Sequence, residues 1–140
     1  MQIRKHVTDR KIILSTLWIF VTLNYLYCDV MSLMSPEMLN SLITTGGVGG
    51  FDITELFLLG GAVIMEIPIA LVLLSIVLDY KANRLASMIG GFIMTLIMIG
   101  TLLMGASYHY IFFATIEIAA TIFIVWYAWT WPKPTVAENE

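Results

Sequence analysis

Four long apolar stretches set the fold of this 140-residue chain, over residues 12–34, 55–78, 85–106 and 109–131. A helix rises 1.5 Å per residue, so about 20 apolar residues cross a hydrocarbon core some 30 Å thick. Composition points the same way. The chain is 59% hydrophobic and 12% charged, with a mean hydropathy of +0.89, whereas soluble domains carry roughly 45–50% apolar and 25% charged residues. Side chains facing lipid accommodate that excess. The expected fold is therefore all-α: an integral membrane four-helix up-and-down bundle, forming a single membrane domain over 1–140. Arg4, Lys5, Arg10 and Lys11 precede the first stretch, as in a signal peptide. The stretch is too long for a signal h-region and no small-x-small cleavage site follows, so it reads as a retained span.

The connections constrain topology. The segment Asp79-Tyr-Lys-Ala-Asn-Arg84 is short and polar, and Gly105-Ala-Ser-Tyr108 is a tight turn. The last three spans are then antiparallel neighbours. The longest connection, 35–54, opens Ser-Pro-Glu, the pattern of an N-cap, a first-turn proline and an acidic residue. A short helix to about Ile43 follows, ended by Gly46, Gly47, Gly49 and Gly50.

All seven basic residues, the four above with Lys81, Arg84 and Lys133, fall on one side of this topology. The positive-inside rule makes that side cytoplasmic, with both termini, and puts the short helix, Glu37, Asp52 and Glu55 outside. Trp126, Trp129 and Trp131 fit a cytoplasmic aromatic belt, and Tyr108 and Tyr110 an outer one.

Composition also excludes several classes. A net charge of −3 without a basic stripe argues against nucleic acid as a partner. The single cysteine, Cys28, excludes an internal disulfide, a CxxC pair and a thiolate metal site. Haem ligation is disfavoured because His6 and His109 sit at span ends on opposite sides. No phosphate loop, HExxH or nucleophile elbow occurs. No metal and no cofactor is expected.

What remains is three acids inside spans. A charged side chain in hydrocarbon costs about 2.5–3.5 kcal/mol on insertion scales, so each acid needs a partner, a wet cavity or neutralisation. Asp29, Glu66 and Glu117 lie roughly 8, 16 and 12 Å from the outer boundary, all in the outer half of the bundle. Helical spacing puts Trp18, Thr22, Tyr25, Asp29 and Ser32 on one stripe, with Cys28 at its edge. Glu66 is flanked by Ala62 and Ala70, and Glu117 is in line with Tyr110, Ala114, Thr121 and Ala128. Pro68 frees the carbonyl of Ile64, to which a protonated Glu66 can donate. The third span carries no charge, and its small residues Ala86, Ser87, Gly90 and Gly91 suit close packing.

No span contains an Arg or Lys to neutralise these acids or an anionic substrate. The functional expectation is a cavity open to the outside, lined by Asn24, Tyr25, Asp29, Glu66 and Glu117, that binds a proton or a neutral or cationic small molecule. The bland alternative is a set of interhelical hydrogen bonds, with Cys28 a small buried apolar residue. Glu66 and Glu117 each precede an isoleucine and lie at comparable depth on inward-running helices. A faint parallel repeat would make them face one another.

The runs Leu23-Asn-Tyr-Leu-Tyr-Cys-Asp29, Glu66-Ile-Pro-Ile-Ala-Leu-Val-Leu-Leu-Ser75, Tyr80-Lys-Ala-Asn-Arg84, Tyr110-Ile-Phe-Phe-Ala-Thr-Ile-Glu-Ile118 and Phe123-Ile-Val-Trp-Tyr-Ala-Trp129 resemble a family of small bacterial four-span proteins known only as a domain of unknown function. The resemblance covers most of residues 12–131 and implies a multi-pass protein of the bacterial inner membrane. More distantly the layout is similar to DoxX-like four-helix proteins, some of them linked to quinone or thiol chemistry. The missing cysteine pair departs from the thiol chemistry. Three readings stand: binding or transport by a homodimer or larger assembly, a membrane-embedded enzyme acting on a lipid-like substrate, and a non-catalytic accessory subunit.

Overall fold

The computed structural model describes residues 2–48 and 50–132, with side chains from residue 9. Lys133 and the side chains of Arg4, Lys5 and His6 therefore lie outside the described residues. Five helices and a small hairpin follow in the order α1 (Gln2–Leu33), α2 (Pro36–Thr45), β1 (Gly47–Val48), β2 (Phe51–Asp52), α3 (Glu55–Val77), α4 (Tyr80–Leu103) and α5 (Tyr108–Trp129). Four of the helices are long and apolar enough to cross a membrane: the Asp9–Leu33 part of α1, and α3, α4 and α5. Each runs antiparallel to the next, and the packing closes a ring in which α1 lies against α3 and α5, and α4 against α3 and α5.

The connection between α1 and α3 is more structured than its glycines suggest. Pro36 opens α2 and Gly46, at φ 66°, ends it, a left-handed conformation that costs a residue without Cβ little. The chain then turns back as an antiparallel pair, Gly47 opposite Asp52 and Val48 opposite Phe51, which was not anticipated. A Cβ on Gly47 would lie 2.7 Å from the Phe51 carbonyl oxygen, so only glycine fits there. The Thr54 hydroxyl accepts from the Phe57 amide at 3.1 Å and starts α3.

The segment 79–84, read from the sequence as a loop, is mostly helix, because α4 begins at Tyr80. Its polar side chains have inward work. Asn83 is fully buried, its amide donating to the Ser75 carbonyl at 2.5 Å and its oxygen accepting from Ser87 at 3.3 Å. Tyr80 donates to the Trp131 carbonyl at 2.8 Å and meets the Trp131 ring edge-on.

This contact also corrects the belt. Trp126 and Trp129 face outward, but Trp131 is only 3% exposed and closes that end of the bundle. At the other end Tyr108 is exposed, whereas Tyr110 turns inward and donates to Thr101 at 2.9 Å. The basic residues cap helix C-termini, where carbonyls lack intrahelical partners. Arg10 donates to the Tyr127 carbonyl at 3.3 Å with its guanidinium over the Tyr127 ring, Lys11 to Ile76 at 3.3 Å, and Arg84 to Trp129 at 2.9 Å.

The core runs along the inner faces of α1 (Leu14, Trp18, Val21, Tyr25), α3 (Leu71), α4 (Met94, Met98) and α5 (Ala114, Ile124). Gly90 and Gly91 are buried in it, Gly90 against Leu71 and Trp18 and Gly91 against Val125 and the Thr121 carbonyl. Close helix approach through small residues is the usual packing device in lipid, where apolar burial drives association weakly. Across the same seam the hydroxyls of Thr95 and Thr121 are 2.7 Å apart.

Candidate functional site

Contacts along the helices fix the depth of each acid. Ser15 on α1 donates to the Val72 carbonyl on α3 at 2.9 Å, so six residues further along α1, Val21 stands level with Glu66. The pairings Arg10 with Tyr127 and Ser32 with His109 bracket Val21 between Ile116 and Ala120 of α5. Glu66 and Glu117 are therefore at one depth, near the middle of their helices. Their surroundings are opposite. Glu117 is 0% exposed, on the inner face of α5. Glu66 is exposed on the outer face of α3, and among the described residues it makes no hydrogen bond, to Ile64 or elsewhere. The two do not face one another, and Glu66 does not share a hollow with Glu117. Its neighbour Pro68 points inward and is buried, without interrupting α3.

The stripe on α1 turns inward from Trp18 to Tyr25, whereas Asp29 further along it is exposed and Ser32 half-buried. Trp18, Tyr25 and Cys28 are buried, Thr22 is half-buried, and Thr22 satisfies its own hydroxyl on the Trp18 carbonyl at 2.8 Å. Glu117 lies within electrostatic reach of Tyr25, Cys28, Asp29 and Tyr110, so side chains from α1 and α5 converge here. Six buried polar atoms have no hydrogen-bond partner among the described residues, and three of them, both Glu117 oxygens and the Tyr25 hydroxyl, meet here; the others are Trp18 Nε1, Ser75 Oγ and Arg84 Nε. Buried polar groups in proteins are overwhelmingly paired, so such a cluster calls for a ligand, a proton or water.

A cavity of about 830 Å³ lies at the α2 end of the bundle, above this cluster. Asp29, Ser32 and Leu33 from α1 line it, with Glu37, Met38 and Ser41 from α2, Val48 and Phe51 from the hairpin, Thr101 and Met104 from α4, and His109 and Tyr110 from α5. Its size and its mix of apolar wall with a few polar groups are those of small-molecule sites. Neither Lys nor Arg lines it. His109 holds two walls together, hydrogen-bonded to Ser32 at 3.2 Å and to Ser107 at 3.1 Å. Outside the spans, the Ser35 hydroxyl donates to Glu37 at 2.7 Å and holds that carboxyl below the usual range.

Of the five residues proposed from sequence, the structure brings Tyr25, Asp29 and Glu117 together, with Asp29 in the cavity wall and the other two beneath it. Asn24 stays apart, its amide donating to the Phe20 carbonyl one turn back at 2.8 Å. The residues not anticipated in the site are Ser32, Glu37, Thr101, His109 and Tyr110. Ser32 was already on the polar stripe and Tyr110 in line with Glu117, whereas Thr101 gave no signal beyond lying near a span end. Among the described residues, no three His, Cys, Asp or Glu side chains are placed to hold a metal ion.

Fold and site together define a small multi-span membrane protein with a buried acid beneath a cavity at one end. Residues 1–138 match the DUF6326 family, described as a family of unknown function, and the chain belongs to that family. No curated protein and no solved structure matches the chain significantly.

Proposed function

We propose that this is a multi-pass protein of the bacterial inner membrane that takes up a proton or a small neutral or cationic molecule from the extracytoplasmic side. The cavity at the α2 end is the entrance, Asp29 is its acidic floor, and Glu117 is the acid beneath, with Tyr25 and Tyr110 as hydroxyl neighbours. The observation that carries this reading is the fully buried Glu117, whose two oxygens lack a protein partner below a cavity without a cation. An unpaired charge in that setting is costly, so the neutral acid is the resting form and a proton or a cation is the natural counterpart.

Orientation rests on the basic residues. Arg10, Lys11, Lys81 and Arg84 gather at one end of the bundle, and Glu37, Asp52 and Glu55 at the other, which by the positive-inside rule supports an extracytoplasmic cavity. The accessory-subunit reading requires acids that are fully paired, and the unpartnered Glu117 favours binding over it.

Proteoliposomes containing the purified protein provide the test, with equilibrium binding of tetraphenylphosphonium and uptake of protons into vesicles loaded with a pH-sensitive dye. Glu117→Gln is expected to abolish at least one of these activities and Asp29→Asn to weaken it, with the fold intact by circular dichroism. Wild-type levels of both activities in Glu117→Gln vesicles would refute the proposal.

A further inference from the structure

Glu66 is unused by the site above, and its position demands an explanation of its own. It is the twelfth residue of the 23-residue α3, so about 16 Å of helix lies on either side of it. It points away from the bundle at mid-membrane depth, where lipid supplies no hydrogen bond. Its face of α3 continues through Leu59, Ala62, Val63, Ile69 and Leu73, all exposed. No other span is so bare: 11% of the most apolar part of α3 is buried, against 28–33% in the other three. Gly60 and Gly61 also have open space where a Cβ would be, and Ala62 stands one turn from Glu66, so nothing bulky keeps a second helix away.

We infer that this face of α3 is the interface of a homodimer, in which Glu66 pairs with Glu66 of a second copy across a twofold axis along the membrane normal. Two features select a second copy over other occupants. A twofold axis in that direction places each residue opposite its counterpart at the same depth, so a mid-membrane carboxyl meets its partner without any shift of the helices. A carboxylic acid is also its own complement, offering one O–H donor and one acceptor, and the middle of the spans provides no Lys or Arg as an alternative, since Arg10, Lys11, Lys81 and Arg84 all lie at one end. The pair lies on the outside of each bundle, so the dimer leaves both cavities at the α2 ends untouched.

Cysteine crosslinking in proteoliposomes that contain only this protein tests the inference. Ala62→Cys and Leu73→Cys are expected to form disulfide-linked dimers under mild oxidation. Leu96→Cys, on an exposed position of α4, and the wild type, whose Cys28 is buried, are expected to stay monomeric. Glu66→Gln, whose amide is equally self-complementary, is expected to keep the dimer. Glu66→Leu is expected to weaken association by about 3- to 30-fold in a dilution series read by energy transfer between labelled copies. Crosslinks at position 96 but not at 62 or 73, or monomers throughout, would overturn the inference. The same holds if Glu66→Leu associates as tightly as wild type.

Discussion

Replacing Gly91 by alanine is expected to destabilise the bundle, while the same change at Gly100 is expected to stabilise it, although both glycines lie inside α4. Alanine gains about 0.5–1 kcal/mol over glycine in a helix interior at either position. At Gly100 the new methyl meets nothing within 4 Å, so that gain is the whole effect. At Gly91 it would lie 2.7 Å from Val125 Cγ2 and 3.2 Å from the Thr121 carbonyl oxygen, and the second contact is backbone that cannot rotate away. Overpacking a tight interior costs about 1–3 kcal/mol, so the net result is a loss of about 0–2.5 kcal/mol. Gly90 falls between, because its new methyl meets the far end of the Leu71 side chain, which can change rotamer. Reversible unfolding in lipid–detergent bicelles, followed by tryptophan fluorescence, gives the three values. A Gly91→Ala protein as stable as Gly100→Ala would refute the close α4–α5 seam that carries the Thr95–Thr121 contact and sets the position of Glu117.

Three further outcomes follow from single contacts. Asn83→Leu removes the buried bonds to Ser75 and Ser87 and is expected to lower unfolding free energy by about 1–3 kcal/mol in the same assay. Arg84→Met keeps the aliphatic stem but loses the cap on the Trp129 carbonyl, for a cost of about 0.3–1 kcal/mol and a lower thermal midpoint. Ser35→Ala is expected to return the Glu37 titration, measured by NMR, toward the ordinary carboxylate range. Because the folded carboxyl titrates low, the Ser35 contact stabilises above that range and is lost as pH falls through the lowered value.

Much of the architecture was readable because a bilayer leaves few choices: apolar length fixed the four spans, and short connections fixed their alternation. The inward part of the α1 stripe was also readable, since Trp18, Thr22 and Tyr25 share a face. Glu66 shows where such reasoning stops. Periodicity tells which residues share a face, but α3 is apolar nearly all round, so nothing in its pattern says which face turns inward. Acids avoid lipid, so such a residue reads as interior, yet a second copy offers another escape. Residues near span ends were ambiguous for a related reason. Tyr110 and Trp131 have the amphipathic character of belt residues, yet a hydroxyl partner on Thr101 and a ring partner at Tyr80 drew them inside. Similarly, the polar letters of 79–84 suggested a loop, whereas Asn83 is buried between hydrogen-bonding groups of α3 and α4. The cavity itself is assembled from α1, α2, the hairpin, α4 and α5, and no local pattern announces such a meeting.

In the proposed function, Glu117 exchanges protons with water through the cavity at the α2 end. Infrared difference spectroscopy after transfer from H2O to D2O measures this directly, with the carboxylic-acid C=O band assigned by its loss in Glu117→Gln. The band is expected to shift promptly in the wild type and slowly in Ser32→Trp, where a bulky side chain narrows the cavity floor. A Glu117 band that does not respond to D2O, or one that shifts at the same rate in both proteins, would contradict the account.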